Sequence, residues 1–232
     1  MTNKFLLQNH PFITETRGNF ILFSCDYDKC HYHRNLFKEL RIRYPSSLRN
    51  SVAKRESEYL AGRFVAMFAL RKLGVVVDDI MIGKNRAPIW PDAVVGSITH
   101  TGHTALCAVG LKKSNRYLGI DLEDWINSEM LAEVSSQLIN QKEQLFLKNS
   151  NINYQKALTL VFSAKESLFK ALYPLVGDYF DFDAVEIFDI SMESCDFEMK
   201  IVKNLGPLFP IGSRVKGCFH FSEFGVLTYV SD

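Results

Sequence analysis

The chain has 232 residues, 47% of them hydrophobic and 23% charged, with 27 basic against 26 acidic side chains. That length suits one large domain or two small ones, and it buries enough surface to fold without disulfides or a metal staple. The balanced charge excludes a dedicated nucleic-acid binder, and no apolar run approaches the roughly 18–20 residues that span a bilayer. The opening MTNKFLLQNHPF holds one lysine and a short apolar core, so it is not read as a signal peptide, and a cytoplasmic protein is expected.

In chain order, FILFS at 20–24 reads as a short apolar strand, and residues 34–44 read as an exposed helix. Residues 51–73 are strongly helical: Tyr59, Leu60, Phe64, Met67, Phe68 and Leu70 recur at three- and four-residue steps, and Gly74 ends the run. GKNRAPIWPD at 83–92 reads as an extended loop. A short strand, GSITH, then leads into TALCAVGL at 104–111, a buried strand. The polar KKSNR at 112–116 is the best domain junction, giving lobes of 1–113 and 114–232. YLGID at 117–121 reads as a strand, and Leu131–Phe146 and Leu158–Leu172 as helices. AVEIF, FEMKIV, RVKGCFHF and VLTYV read as antiparallel strands. The expected class is α+β, with a long helix and several strands in each lobe.

The five cysteines (Cys25, Cys30, Cys107, Cys195, Cys218) are odd in number and widely spread, unlike a disulfide framework. Cys25, Cys30, His31 and His33 gather ligand-capable side chains, yet they lack the paired spacing of a structural zinc site, so no zinc is expected.

The chemistry-bearing residues are carboxylates and cations. Asp121 and Glu123 stand two apart at a strand end, which puts both side chains on one face. Two such acids repel unless a cation sits between them, and hard oxygens favour magnesium. A solvated acidic turn explains the same pair. Glu166 and Lys170, in FSAKESLFKAL at 162–172, share a helical face. Read alone, Ser163-x-x-Glu166 is a capping box and Glu166–Lys170 an ordinary ion pair. Arg55 and Arg63 lie about 80° apart around a helix of 3.6 residues per turn, so both can face one groove. Lys54, Lys84 and Arg86 add positive charge nearby. His100, at a strand end before a glycine turn, suits a pyrophosphate if those cations converge on it.

In this order, VAKRESEYLAGR (52–63), GKNRAPIWPDAVVGSITHT (83–101), GIDLED (119–124) and FSAKESLFKA (162–171) resemble the 4'-phosphopantetheinyl transferases of the Sfp-type class, in the branch like enterobactin synthase component D. The resemblance implies two similar α/β lobes related by a pseudo-twofold axis, with coenzyme A in the cleft between them and a monomeric enzyme. It implies magnesium held by Asp121, Glu123 and Glu166, and Lys170 beside the pyrophosphate, assisting the leaving adenosine 3',5'-bisphosphate. Arg55 and Arg63 match cations of the coenzyme A site, and Thr99 and His100 the hydroxyl and imidazole beside its phosphates. Lys84 and Arg86 are further contacts, while Asn85 stands where some relatives have lysine. Phe162 replaces a tryptophan common elsewhere in the class. The implied reaction moves 4'-phosphopantetheine to a serine of an apo acyl-, peptidyl- or aryl-carrier domain, whose proton goes to Glu166 or to a water on the metal. Siderophore or other nonribosomal peptide synthesis is the expected setting. The alternatives are a non-catalytic coenzyme A- or carrier-binding protein and a magnesium-dependent hydrolase of nucleotide pyrophosphates.

Overall fold

A computed structural model of the protein describes residues 4–12 and 19–232. The chain forms two compact units that divide between Leu118 and Gly119, with Asp232 assigned to the first. The 113/114 boundary drawn at KKSNR therefore falls inside the first unit. Asn115 gives the reason: its buried amide donates to the Asn19 carbonyl at 3.1 Å, which fastens this polar turn to the first unit.

The first unit contains β1 (Leu6–Phe12), β2 (Phe20–Tyr27), a single helical turn α1 (Leu36–Glu39) and the long helix α2 (Ala53–Lys72). The two-residue strands β3 (Met81–Ile82) and β4 (Pro88–Ile89) follow, then β5 (Val94–His100) and β6 (Thr104–Leu111). A four-stranded antiparallel sheet has the order β1-β2-β6-β5, and α2 lies against β6 and β2. Leu60, Val65, Ala69 and Leu70 of α2 are fully buried with Ala105, Cys107 and Val109 of β6 in one core. The helix read over 34–44 shrinks to α1. Arg41 takes a left-handed backbone (φ +56°), and the Ile42 amide donates back to the Phe37 carbonyl at 2.8 Å, so the chain turns out of the helix there.

Cys25, on β2, is buried, which pushes its thiol up to about 12 and leaves it unreactive; Cys30 is exposed. His31 Nδ1 lies 2.8 Å from the Asp28 carboxylate.

The second unit runs from β7 (Leu118–Asp124), all but its first residue, through α3 (Leu131–Leu138), α4 (Gln141–Asn149) and α5 (Tyr154–Val176) to β8 (Val185–Ser191), β9 (Asp196–Ile201), β10 (Arg214–Phe221) and β11 (Gly225–Ser231). Its sheet has the order β7-β11-β10-β9-β8, and α5 packs along β11. The four C-terminal runs read as strands form an antiparallel meander. The single helix read over 131–146 is two helices. Asn140 breaks it, accepting from the Lys142 and Glu143 amides while Glu143 accepts from the Asn140 amide, a reciprocal capping box. The box read at Ser163 is not one, because Ser163 lies in the interior of α5, which Asn153 caps.

Two glycines set how close the elements of this unit approach. A Cβ on Gly119 would collide with the Ser167 carbonyl of α5, and one on Gly225 with the Glu123 carbonyl of β7. Among the described residues no helix is long and apolar enough to cross a membrane.

Candidate active site

In the first unit, α2, β5 and the loop between β3 and β4 enclose a cavity of about 490 Å3. Arg55, Arg63, Arg86 and His100 line it, and Glu58 is the one carboxylate among its lining residues. Arg63 is only 5% exposed. Its guanidinium stacks over the Tyr59 ring at 4.8 Å and donates from Nε to the Tyr59 hydroxyl at 3.1 Å, so it is held in one orientation. Arg55, in the first turn of α2, faces Glu58 at 3.8 Å. Arg86 and the preceding Asn85 both adopt left-handed backbone, with φ of +63° and +53°. Asparagine tolerates that region better than most side chains. Alternation along β5 places Ile98 and His100 at the cavity while Thr99 is buried and absent from its lining. Lys84 is exposed and also absent from the lining. Three guanidiniums and an imidazole against one carboxylate make an anion site, and their planar forks suit phosphate.

In the second unit, β7 and α5 carry the acids. Lys170 Nζ lies 2.5 Å from Asp121 Oδ1, and Asp121 is buried. The Ser163 hydroxyl, one turn before Glu166, lies 3.2 Å from the Asp121 carbonyl and 2.9 Å from the Thr228 hydroxyl, which ties α5 to β7 and β11. Burial pushes the Glu123 carboxyl up to about 8, helped by the neighbouring Asp121 charge and opposed by Lys170. Burial also raises Glu166, with Lys170 pulling the other way and Asp121 adding to the rise. Burial works against the Lys170 ammonium, yet Asp121, Glu166 and Glu123 together keep it above its ordinary value. Three acids against one ammonium leave the cluster short of positive charge. Its donors are all hard carboxylate oxygens, which fits magnesium rather than a softer metal. Among the described residues, no three such side chains stand close enough to hold an ion as they are placed. Charge and donor type, rather than a closed cage, carry the fit.

Residues 44–110 match the model of the 4'-phosphopantetheinyl transferase N-terminal domain, and residues 117–207 that of the 4'-phosphopantetheinyl transferase superfamily. The chain belongs to the 4'-phosphopantetheinyl transferase superfamily. The cavity's lining residues and the cluster of Asp121, Glu123, Glu166 and Lys170 fall inside the matched stretches of this transferase-family chain. It is 37% identical over 146 residues to enterobactin synthase component D of Salmonella typhi, covering 63% of this chain and 59% of the relative. It is 40% identical over 126 residues to the protein of that name from Escherichia coli K12, covering 54% and 59%. The 4'-phosphopantetheinyl transferase Svp of Streptomyces mobaraensis is 38% identical over 142 residues, covering 59% and 56%. The match thus spans little more than half the length of these family relatives.

Two buried ions of this family member escape a reading by motif. Lys165, beside Glu166, is 1% exposed and bonds Glu143 at 2.9 Å. Its signal is its spacing: with Val161, Leu168 and Leu172 it falls on the buried face of α5, where a lysine must have a partner. Glu56, beside Arg55, is the second, and its partners come from segments that no local pattern connects to it.

Proposed function

We propose that this protein transfers the 4'-phosphopantetheine group of coenzyme A to a serine of an apo carrier protein, releasing adenosine 3',5'-bisphosphate. The observation that carries it is the charge-deficient cluster of Asp121, Glu123, Glu166 and Lys170, standing in the stretch that matches the superfamily. Such a transfer demands charge neutralisation and alignment more than covalent participation. Asp121, Glu123 and Glu166 are the residues to hold magnesium, which when bound supplies positive charge to the pyrophosphate. Arg55, Arg63 and Arg86 bind phosphates of coenzyme A, and His100 adds a donor beside them. Lys170 donates to the departing bisphosphate, and the Glu166 carboxylate is the acceptor this chain offers for the serine proton. Thr99 and Lys84 support this site less directly, since neither lines the cavity. The partner is an acidic acyl-, peptidyl- or aryl-carrier domain in the cytoplasm, and the setting is siderophore or other nonribosomal peptide synthesis, a reading that the relatives named enterobactin synthase component D support.

Incubation with coenzyme A and magnesium, with and without apo-carrier, separates this reading from its rivals. Bisphosphate released only with carrier, together with a phosphopantetheine mass gain on the carrier, is the expected result. Release without carrier would mark a hydrolase, and binding without release a non-catalytic protein. Exhaustive chelation is expected to stop carrier modification and added magnesium to restore it; full modification after metal removal would overturn the metal role.

Arg55→Ala tests the phosphate site. Arg55 is partly exposed and its contact to Glu58 is long, so alanine leaves the melting temperature near wild type. A lost charged hydrogen bond to phosphate should raise the KM for coenzyme A by roughly tenfold or more and leave the carrier KM in place. Equal increases in both would argue that Arg55 is not a phosphate contact.

A further inference from the structure

Glu56 stands on the first turns of α2 and is 2% exposed, yet it carries a charge. Arg34 donates to both of its oxygens, with Nη2 at 2.7 Å from Oε1 and Nε at 3.0 Å from Oε2. The Tyr32 hydroxyl donates to Oε2 at 2.6 Å. The Tyr44 hydroxyl lies 2.8 Å from Oε1 and 2.9 Å from the Leu48 carbonyl, sharing one proton between two acceptors. Three donor residues from one irregular segment thus converge on one carboxylate, and Arg34 in particular holds that carboxyl down at about 2.

Two chains of contact lead from this carboxylate to the anion cavity. Through Tyr44 it holds Leu48, which with Ser47 and Ser51 walls the cavity. Tyr44 also meets Phe37 edge-on with ring centres 4.9 Å apart, Phe37 stacks on Tyr59 at 6.3 Å, and Tyr59 holds the Arg63 guanidinium. We infer that Glu56 is a positioning residue for the phosphate-binding cavity: it clamps the 32–48 segment onto α2, so that the Leu48 wall and the Tyr59–Arg63 pair are set before a ligand arrives. The clamp touches no ligand, so it acts on affinity for the nucleotide and not on the transfer step. The inference rests on the coenzyme A reading of the cavity given above.

The test is binding of adenosine 3',5'-bisphosphate to the full chain by calorimetry, with transfer kinetics on the same samples. Wild type binding that ligand is the premise; absence of binding by wild type would overturn the cavity reading and this inference with it. Glu56→Gln keeps the shape and removes the charge. It is expected to weaken bisphosphate binding about tenfold and raise the KM for coenzyme A in step, with kcat and the carrier KM within about twofold. Tyr44→Phe removes the hydroxyl that joins Glu56 to the Leu48 carbonyl while leaving Arg34 and Tyr32 on the carboxylate, and it should move the same two quantities by about threefold. Wild-type affinity in a folded Glu56→Gln overturns the inference, as does a proportional fall in kcat and rise in both KM values. Should Glu56→Gln fail to fold, Tyr44→Phe decides: unchanged bisphosphate affinity there overturns the clamp, and a selective loss supports it.

Discussion

Glu166→Gln is expected to cut carrier modification by about 10²–10³-fold while melting no lower than wild type in metal-free buffer. The two halves of that result have one cause. Burial and Asp121 raise the Glu166 carboxyl, so the folded protein disfavours its charged form relative to the unfolded chain. An ionised Glu166 therefore subtracts from stability at neutral pH, and the neutral amide of the same shape relieves that cost. Removing the charge takes away both a candidate magnesium ligand and a proton acceptor, so the chemistry falls while the fold does not. Ser163→Ala gives the contrast. Ser163 bonds inside the core to Asp121 and Thr228 and not at a helix end, so its loss costs about 1–2 kcal/mol of stability. Melting curves and carrier-modification rates on both variants check the pair. A Glu166→Gln protein with wild-type turnover would remove this carboxylate from the reaction.

The largest stability loss is expected at Lys165. Its ammonium bonds Glu143 and donates to the Leu138 carbonyl at 3.0 Å and the Phe182 carbonyl at 3.2 Å. Glu143 in turn accepts from the Ile187 amide at 2.9 Å and the Asn140 amide at 3.0 Å. One ion pair thus joins α5 to the end of α3, the start of α4 and β8. Lys165→Met fills the volume but strands a buried carboxylate, at a cost of about 3–5 kcal/mol. Glu143→Gln strands the ammonium and is expected to cost a similar amount. The double variant should cost clearly less than the sum, because neither charge is then left alone. Denaturant titrations of the four proteins measure the coupling. Strict additivity would mean the two ions stabilise separately, against the contacts described.

Where periodicity was strong and local, sequence and structure agree. TALCAVGL is β6 residue for residue, RVKGCFHF is β10, and the helix read over 51–73 is α2 to within two residues at its start and one at its end. The misreadings share a physical origin in side chains whose partners are distant. Leu131–Phe146 keeps a helical pattern through Asn140, but the break depends on Asn140 and Glu143 capping each other and on Glu143 reaching Lys165. The 34–44 segment carries charges like a solvated helix, yet Arg34 is spent on Glu56 and Phe37 is buried under Tyr44 and Tyr59. Arg55, Arg63, Arg86 and His100 line one cavity, and only the shared face of Arg55 and Arg63 could be read from helical spacing. That Thr99 turns away follows from strand alternation once β5 is known to include His100. That Arg86 reaches the cavity depends on two left-handed residues, which no composition announces.

Gly119 gives the motif GIDLE a meaning its acids do not contain. With no side chain, β7 lies so near α5 that the Ser167 carbonyl and the Ala171 backbone occupy the space a methyl group would need. That letter of the motif specifies a distance, and the two acids specify a charge. A protein carrying Asp121, Glu123, Glu166 and Lys170 but alanine at 119 would keep every ionisable group and push the strand off the helix that supplies half of them. Gly225 does the same from the other side, against the Glu123 carbonyl. The spacing of the cluster is therefore written in backbone, held by two residues that have no chemistry to offer. A survey of variants scored only for acids and bases would count both positions as neutral, whereas a survey scored for turnover would find them among the least replaceable in the second unit.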